Sequence, residues 1–279
     1  GAEWYPISPT RLLDTRAANG LSGAFVDGTP RSFQLTGRGS VPVDAVAVTA
    51  NLTVTGATAS GYVAIGPTMT GSPTTSTLNL ARGQTIANGL TLRVGAGGTV
   101  GAVFMSASGA KAHLILDVTG YYRVGGSGAT WYPLTPTRLL DTRSGNGLSG
   151  SFVTRRVRTL QIAGRGSVPS DAVAVTGNLT ATGATGSGYV TMGPTMTTRP
   201  ATSTLNLVKG RTIANNLTVR LGAGGTAGLV FVGPSGSRVQ LVFDVTGYYR
   251  AGNAGAEWYP ISPTRLLDTR AANGLSGAF

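Results

Sequence analysis

Apolar and polar residues alternate with a period of two over most of this chain, and turns rich in glycine, proline or threonine separate the alternating segments. Residues 45–54 (AVAVTANLTV) show the pattern most clearly and predict a central strand. No segment has a convincing helical period. Over positions 1–127 the pattern predicts about eight strands, with residues 99–106 and 111–119 as a hairpin. The predicted strands are residues 4–6 with 11–14, 32–35, 45–54, 61–65, 76–80, 86–94, 99–106 and 111–119.

The whole pattern then returns from position 128 without an insertion or deletion, as Trp4, Trp131 and Trp258 show. Positions 1–127 and 128–254 are identical at 84 of 127 sites. One leader sequence occurs three times, as leader 1 (1–25), leader 2 (128–152) and leader 3 (255–279). Leader 3 matches leader 1 at 25 of 25 positions and leader 2 at 19 of 25, so the true period is 254. Only two bodies lie between the leaders, body 1 (26–127) and body 2 (153–254).

These observations predict an all-β protein of tandem β-sandwich or jelly-roll-like repeats, without significant helix. The expected domains are unit 1 (1–127), unit 2 (128–254) and leader 3, which begins a third repeat. Leader 3 has few apolar residues and no partner strands of its own, so we expect it to pack on a neighbouring unit. The pattern leaves open whether a leader pairs with the body before or after it, and whether it does so in the same chain.

Composition narrows the class of protein. The chain has no cysteine, which excludes disulfides and thiolate sites, and no apolar run approaches the ~20 residues of a membrane span. The net charge is +12, from 22 Lys and Arg against 10 Asp and Glu. A basic surface attracts polyanions, but spread positive charge also keeps a glycine-rich β protein in solution. No dense basic cluster indicates a specific nucleic-acid site; Arg155, Arg156 and Arg158 are the closest group.

Three motifs together resemble a known family. They are the leader W-Y-P-x-x-P-T-R-L-L-D-T-R, the segment S-T-L-N-L at 76–80 and the closing D-V-T-G-Y-Y at 117–122. The set resembles an extracellular β-sandwich repeat of secreted and surface proteins of actinobacteria and related bacteria, and it covers both units and all three leaders. The resemblance implies an extracellular or cell-surface location and a tandem architecture. It implies no catalytic residue and no ligand.

Each leader carries an aspartate between two arginines. In a strand, residues two apart share a face, so we expect Asp14 and Arg16 to point the same way and Arg11 to point oppositely. The group has two interpretations, a structural clasp that pins the leader to a sheet edge or an arginine-lined site for an anion or a sugar. The same three residues recur as Arg138, Asp141 and Arg143, and as Arg265, Asp268 and Arg270.

Two further aspartates, Asp117 and Asp244, lie where a strand is predicted to end. They favour a turn or a pairing with arginine over Ca²⁺ binding, because no D-x-D-x-D cluster gathers several oxygens. A glycosidase pair of Asp14 with Asp117 is the least favoured alternative. His113, the only histidine, has Gln240 as its counterpart, which argues against catalysis or metal binding. We therefore expect no catalytic residue, no cofactor and no metal, and no enzymatic activity.

The aromatic residues concentrate at the ends of the units. If they are exposed, they are a platform for sugar rings; if they are buried, they pack between units, which we favour. Only a short joint (123–130) separates the end of unit 1 from the next tryptophan, so neighbouring units must nearly touch. The joint aromatics are Tyr121, Tyr122, Tyr248 and Tyr249.

The leader is thus predicted to connect units, with Trp4, Tyr5, Leu12 and Leu13 as its apolar grip and Arg11, Asp14 and Arg16 fixing the register. The full set of expected connector residues is Trp4, Tyr5, Arg11, Leu12, Leu13, Asp14 and Arg16, then Trp131, Tyr132, Arg138, Asp141 and Arg143, then Trp258, Tyr259, Arg265, Asp268 and Arg270. Deletion of leader 1 or leader 3 is expected to cost assembly more than the folding of the central unit.

The functional hypothesis is a structural repeat of an extracellular filament, stalk or surface fibre. Its expected partner is itself, in a tandem array or head to tail by strand complementation. The alternative is an adhesion module that binds a carbohydrate or an anionic cell-wall polymer.

Overall fold

The fold is all-β, as predicted. A computed structural model describes residues 1–252, 254–261 and 264–277. The strands of unit 1 are β1 Ala2–Asp14, β2 Phe25–Val26, β3 Arg31–Gln34, β4 Ala47–Thr55, β5 Gly61–Gly66, β6 Leu78–Leu80, β7 Ile86–Arg93, β8 Thr99–Met105 and β9 Lys111–Val124. Those of unit 2 are β10 Ala129–Asp141, β11 Phe152–Val153, β12 Arg158–Gln161, β13 Ala174–Thr182, β14 Gly188–Gly193, β15 Leu205–Leu207, β16 Ile213–Arg220, β17 Thr226–Val232 and β18 Arg238–Ala251.

Each unit is a sandwich of two antiparallel sheets. In unit 1 the strand order is β3-β8-β5-β6 in one sheet and β1-β9-β4-β7 in the other, with β2 also on β9. Unit 2 repeats both orders, as β12-β17-β14-β15 and β10-β18-β13-β16, with β11 on β18. A 3₁₀ turn at Ala96–Gly98, repeated at Ala223–Gly225, carries the chain from one sheet to the other.

The apolar positions of the alternating strands face each other between the two sheets. Leu52 of β4, Phe104 of β8 and Leu116 of β9 are completely buried in the core of unit 1. Unit 2 has an equivalent core that includes Leu179 and Phe243. A third, smaller apolar cluster lies between the units and is built around Trp4.

Leaders 1 and 2 each pair with the body that follows them in the chain. β1 runs antiparallel to β9, with Trp4 opposite Tyr122. β10 runs antiparallel to β18 in the same register, with Trp131 opposite Tyr249. Leu12 and Leu13, expected to grip a neighbouring unit, instead lie in the core of their own unit.

Two sequence predictions about strands are wrong. Residues 99–106 and 111–119 do not form a hairpin, because β8 pairs with β3 and β5 whereas β9 pairs with β1 and β4. A turn in which the Ala110 amide donates to the Ala107 carbonyl takes the chain across the sandwich instead. The last strand also continues to Val124, so Asp117 lies inside β9 and not at its end.

The two units share one extended sheet. β1 and β10 are neighbours through the pair Trp4 and Ala129, which joins the two four-stranded sheets edge to edge. No helix in the described part of the chain is long and apolar enough to cross a membrane.

Candidate functional site: the joint between the units

The three leaders contact one another in pairs, through a joint that recurs every 127 residues. In each joint the tryptophan of one leader pairs through its backbone with the alanine near the start of another leader. The pairs are Trp4 with Ala129, Trp131 with Ala256 and Trp258 with Ala2. In the last two pairs both backbone hydrogen bonds are present, at 2.8–2.9 Å. Leader 1 thus contacts leader 2, leader 2 contacts leader 3 and leader 3 contacts leader 1, so the contacts form a closed triangle.

Side chains at the start of leader 1 accept hydrogen bonds from backbone amides at the point where the chain enters leader 2. The Gly128 amide donates to Glu3 Oε2 at 2.7 Å, and the Ser127 amide donates to the Tyr5 hydroxyl at 2.8 Å. Backbone groups that would otherwise be left unpaired at the joint are therefore satisfied by side chains.

The third joint places Gly1 as the first joint places Gly128. The Gly1 ammonium group donates to the Tyr259 hydroxyl and pairs with Glu257 Oε2, both at 2.8 Å. The hydrogen bond to Glu257 raises the pKa of this ammonium group and lowers the pKa of the Glu257 carboxyl. Glu257 and Tyr259 are the counterparts of Glu3 and Tyr5, so the geometry of the first joint is repeated.

An aromatic cluster fills the centre of the triangle. Trp4 packs on Tyr249 with ring centroids 4.7 Å apart, and Trp258 packs on Tyr122 at 5.2 Å. The two tyrosine hydroxyls are hydrogen-bonded to each other at 2.8 Å, and Trp4 Nε1 donates to Thr49 Oγ1 at 3.1 Å. Burial raises the pKa of both tyrosines. Trp4, Tyr122 and Tyr249 are buried and cannot stack on a sugar, whereas Trp258 is half-buried.

Glycine is required beneath each tryptophan of a complete unit. A Cβ at Gly120 would lie 2.4 Å from Trp4 Nε1, and a Cβ at Gly247 would lie 2.4 Å from Trp131 Nε1. The glycine of the D-V-T-G-Y-Y motif therefore lets the indole lie flat on β9 and β18.

The outer tyrosines of the joint stack in pairs within a unit. Tyr5 lies parallel to Tyr121 with centroids 5.2 Å apart, and Tyr132 lies parallel to Tyr248 at 5.1 Å. Each pair fixes the start of a leader to the end of its own body.

The first arginine of leaders 1 and 2 binds an aspartate of its own body, which is buried in unit 1 and half-buried in unit 2. Arg11 donates to Asp117 through Nε at 2.8 Å and Nη2 at 3.0 Å, and Nη2 also donates to the Ala201 carbonyl of unit 2 at 2.7 Å. Arg138 binds Asp244 in the same bidentate way, at 2.8 and 3.1 Å. Burial raises the pKa of Asp117, and the Arg11 guanidinium acts against that shift.

The leader aspartate is held by the arginine two residues later. Arg16 donates to Asp14 through Nε at 2.9 Å, Nη2 at 2.7 Å and its backbone amide at 3.1 Å. These bonds lower the pKa of Asp14. The corresponding bonds lower the pKa of Asp141 and of Asp268 to about 2.

The expectation that Arg11 points away from Asp14 is wrong. Arg11 Nη1 lies 3.3 Å from Asp14 Oδ2, so both side chains are on one side of the leader. A register shift between Arg11 and Leu13 breaks the alternation of the strand at this point. The guanidinium of Arg11 therefore bridges the two aspartates, Asp14 and Asp117.

Two residues of the clasp escaped the sequence analysis. Asn19 Nδ2 donates to the Arg11 carbonyl at 2.9 Å, and Arg38 donates to the Leu12 carbonyl at 3.0 Å and to Asn19 Oδ1 at 2.7 Å. Unit 2 repeats these bonds with Asn146 and Arg165. The signal was present, since both residues recur in the second unit, but recurrence alone does not tell which loop an arginine reaches.

The outer face of β4 is the second contact between the units. Asn51 Nδ2 donates to the Ser203 carbonyl at 2.6 Å, and Asn215 Nδ2 donates to Asn51 Oδ1 at 2.9 Å. The Gly89 amide donates to Asn215 Oδ1 at 2.8 Å. A Cβ at Gly89 would lie 2.0 Å from the Asn216 carbonyl oxygen, so the backbones of β7 and β16 touch. Sequence reasoning missed this interface because polar residues on alternate strand positions are typical of a solvated face.

His113 has a structural role that its counterpart shares. His113 Nδ1 is hydrogen-bonded to Thr15 Oγ1 at 2.9 Å, and Thr142 Oγ1 donates to Gln240 Oε1 at the same place in unit 2. A histidine imidazole and a glutamine amide can both bind the threonine hydroxyl at this position. The hydrogen bond is therefore structural and does not require an acid or a base.

Leader 3 forms the ion pairs of the clasp while its two leucines stay exposed. Arg270 and Arg265 both bind Asp268, at 2.9 and 3.1 Å. Leu266 and Leu267 are 79% and 52% exposed, whereas the identical Leu12 and Leu13 of leader 1 are 2% and 0% exposed.

All ten carboxylates contact groups of the protein itself. Eight form ion pairs, and Glu3 and Asp27 accept backbone amides. Fourteen of the 22 Lys and Arg residues form no ion pair within the described residues. Ten of these cations also have exposed side chains and no hydrogen bond from the side chain: Arg82, Arg93, Lys111, Arg155, Arg156, Arg199, Lys209, Arg211, Arg220 and Arg238. Across residues 1–252, 254–261 and 264–277, no group of three or more His, Asp or Glu side chains is arranged to hold a metal ion.

Comparison with known proteins adds little to this description. No protein-family model matches the chain, and no curated protein matches it. One solved structure that it resembles is the N-terminal CBM22 tandem domain of Xyn10C from Paenibacillus barcinonensis, at 10% identity and a TM-score of 0.22, over 88% of this chain and 99% of that one. Another is a turret protein of Sulfolobus turreted icosahedral virus, at 13% identity and a TM-score of 0.18, over 78% and 97%. At TM-scores this low we draw no conclusion from either.

Proposed function

We propose that this protein is a non-catalytic structural repeat of an extracellular filament, stalk or surface fibre, in which leader strands lock neighbouring units into one rigid body. The observation that carries this proposal is the recurrence of one joint every 127 residues, once for each leader. The backbone pairing recurs at all three joints, and the Glu and Tyr acceptors and the Trp–Tyr packing recur at two of them. Such recurrence is a feature of assembly, since an enzyme site needs to be built only once.

The composition of the joint favours stiffness. It combines main-chain pairing, buried aromatic rings and the amide contacts of Asn51 and Asn215, so that relative motion of the units would break several interactions together. Repeats that bury surface between neighbours in this way are held rigidly against one another and do not behave as beads on a flexible string.

Exchange of leaders between chains stays a prediction. Leaders 1 and 2 pair with the bodies that follow them, and the three joints meet within one chain. The proposal therefore assigns the connecting role to contacts between units and does not depend on strand complementation. The extracellular location rests on the family resemblance of the leader.

The rigidity is testable by NMR relaxation of the purified chain. We expect amides of unit 1 and unit 2 to report one overall correlation time, and Trp4→Ala to give two shorter ones, because it removes the ring on which Tyr249 packs. Independent tumbling of the units in the unmodified protein would contradict a structural role for the joint. Immunogold electron microscopy of the source cells tests the location, with label expected along surface appendages and not inside the cell.

A second function, binding of an anionic polymer, is favoured by one specific observation. The acidic residues are all engaged within the protein, whereas ten exposed cations have neither an ion pair nor a side-chain hydrogen bond within the described residues. The net charge of +12 is thus presented to solvent without local compensation. An acidic cell-wall polymer or polysaccharide fits this surface by charge, while the buried aromatic rings do not favour stacking on neutral sugars.

Co-sedimentation with an acidic and a neutral polysaccharide of equal length tests the second function. We expect binding to the acidic polymer only, with an affinity that falls steeply and log-linearly as salt rises. Reversal of two exposed cations, Arg155→Glu and Arg156→Glu, is expected to reduce the slope. Equal binding to the neutral polymer would contradict a charge-driven mechanism.

A further inference from the structure

The three leaders contact one another in a closed triangle, but the sequence contains only two bodies to stand beside them. Leader 1 stacks Trp4 on Tyr249 and donates from Arg11 to the Ala201 carbonyl, both in unit 2. Leader 3 repeats these contacts on unit 1, with Trp258 stacked on Tyr122 and Arg265 Nη2 3.4 Å from the Thr74 carbonyl oxygen. Leader 3 therefore stands where the leader of a third unit would stand in a three-fold ring.

Leader 2 lacks the equivalent contacts. Trp131 stacks on no tyrosine among the described residues and is only half-buried, whereas Trp4 is fully buried. The Arg138 side chain is 48% exposed where that of Arg11 is 26% exposed. Its partner Asp244 is 28% exposed, against 2% for Asp117. In the described part of the chain, Trp131, Arg138 and Asp244 thus lack the cover that unit 2 gives to Trp4, Arg11 and Asp117.

The outer face of β13 is also uncovered by the described residues. Together with Trp131 and Arg138 it lines one opening beside unit 2. Thr49, Asn51 and Thr53 on β4 are buried beneath unit 2. Their counterparts on β13 are only half-buried, and Asn178 Nδ2 bonds within its own strand, to Thr180 Oγ1 at 3.3 Å. The surface that unit 1 uses to hold unit 2 is thus present on unit 2 and holds nothing in the described residues.

The opposite wall of the opening belongs to unit 1. Asn88 is the counterpart of Asn215, which donates both to the Thr204 carbonyl and to Asn51 of the neighbouring unit. Asn88 makes only the bond within its unit, to the Thr77 carbonyl at 2.8 Å, and is half-buried. The opening is therefore bounded by both kinds of surface that form the contact between the units. One is the outer face of β13 on unit 2, and the other is the edge strand β7 of unit 1.

We propose that this opening takes a third body of the repeat, of the type of body 1 and joined to leader 3, so that three units close into a ring around the aromatic cluster. This inference rests on the proposed structural function and specifies the partner of the joint. Leader 3 selects the type of body, because it is identical to leader 1 and exposes the two leucines that leader 1 buries in body 1. Body 1 also carries glycine at position 89, where a Cβ would meet the backbone of the next unit.

The test appends a copy of residues 26–127 to the full chain after position 279, so that the new body meets a leader sequence it already pairs with in unit 1. The appended body contains no tryptophan, so 5-fluorotryptophan labelling gives the same three ¹⁹F signals in both chains. We expect the Trp131 signal to lose most of its solvent isotope shift in the extended chain, and small-angle scattering to fit a compact three-lobed particle. Asn216 of unit 2 is the counterpart of Gly89, and its side chain would meet the backbone of the third body. The extended chain is therefore also made with Asn216→Gly.

A matched pair of variants separates closure from simple tethering. In the original chain Asn51→Ala is expected to lower the melting temperature by about 2–4 °C, whereas Asn178→Ala leaves it unchanged. In the extended chain Asn178→Ala is expected to lower it by a similar amount.

Three outcomes would overturn the proposal. An unchanged Trp131 signal with an elongated particle would mean that the third body does not dock. A neutral Asn178→Ala in the extended chain would mean that it docks elsewhere. Oligomers of the original chain that protect Trp131 would assign the opening to a second copy. A rigid unit 1–unit 2 pair with an undocked third body would refute this inference and leave the proposed structural function standing.

Discussion

One guanidinium group binds two carboxylates in the clasps of unit 1 and unit 2, and its surroundings decide how much this pairing stabilises the fold. Arg11 lies between Asp14 and Asp117 beneath a loop of unit 2, whereas Arg138 occupies the same position on the open side of unit 2. The two clasps consist of the same types of residue, but the side chain of Asp117 is 2% exposed and that of Asp244 is 28% exposed. The two units thus provide an internal comparison between a buried and a partly solvated ion pair.

Arg11→Met and Arg138→Met measure that difference. Removal of Arg11 leaves the Asp117 carboxylate buried without a counter-charge, which we expect to cost about 3–5 kcal/mol in free energy of unfolding. Removal of Arg138 leaves Asp244 with access to water, so we expect a smaller loss, of about 1 kcal/mol. Urea unfolding of both variants measures the two losses, and equal values would show that the cover from unit 2 does not matter.

The pH dependence of stability depends on the aspartates of the leaders. The folded-state pKa of Asp141 is about 2, below the ordinary 3.8, because Arg143 binds the ionised form. A depressed pKa contributes stability that is present above pH ~4 and is lost as the pH falls to ~2. Asp14 and Asp268 act in the same direction. Asp117 acts in the opposite direction, since burial raises its pKa.

We therefore expect the free energy of unfolding to fall between about pH 4 and about pH 2, and Asp141→Asn to be less stable at neutral pH and to lose less on acidification. Urea unfolding across this range checks the prediction. If the variant and the parent lost stability in parallel, Asp141 would not be a source of the acid sensitivity.

The leader strand shows how a proline-containing segment becomes part of a sheet. β1 spans 13 residues although it contains Pro6 and Pro9, and its pairing with β9 is interrupted between Pro6 and Thr10. The ladder skips the segment where proline has no N–H to donate, and resumes at Thr10. The two halves of the leader therefore have separate tasks: the first builds the joint, and the second enters the core of its own unit.

Much of the strand plan could be predicted from the sequence. Alternation and turn residues located β3 to β8 within a few residues, because each strand has one face on the core. The pairing of β8 and β9 could not be predicted, since adjacency in sequence favours a hairpin and only the packing of the sandwich decides otherwise. The inter-unit contacts of Asn51 and Asn215 were equally hidden, because their burial depends on a neighbouring unit and not on local pattern.

Deletion of the two terminal leaders is expected to have unequal effects. Removal of residues 1–14 takes β1 and the buried Leu12 and Leu13 from the core, so we expect unit 1 to lose its folded structure. Removal of residues 255–279 takes exposed leucines and the contacts of leader 3 with leaders 1 and 2 and with unit 1, which lie outside both cores, so both cores are expected to survive. Circular dichroism and differential scanning calorimetry of the two deletions check this. The expected loss of unit 1 revises the sequence-based expectation that deletion of leader 1 costs assembly more than the folding of the central unit.

At the scale of the molecule, the two units differ more in their surroundings than in their sequence. They agree at 84 of 127 positions, yet Asn51 is buried and Asn178 is half-buried, and Trp4 is covered and Trp131 is partly open. The asymmetry follows from the position of each unit around the triangle of leaders. Unit 1 holds a neighbour on its β4 face, and unit 2 holds none on the equivalent β13 face among the described residues.

The interface between the units should make them unfold together. Asn215 is central to it, because its amide group donates to Asn51 and to the Thr204 carbonyl and accepts the Gly89 N–H, and it is 4% exposed. Asn215→Ala leaves buried partners unpaired, and we expect it to weaken the interface by about 2 kcal/mol.

The measurement is differential scanning calorimetry of the parent, Asn215→Ala and the matched control Asn88→Ala. For the parent and for Asn88→Ala we expect one transition whose van't Hoff enthalpy equals the calorimetric enthalpy, since the Asn88 side chain bonds only within its own unit. For Asn215→Ala we expect the transition to broaden or split as the units uncouple. A single sharp transition in all three proteins would mean that the leader triangle alone couples the units, and that the polar face of β4 is not needed for cooperativity.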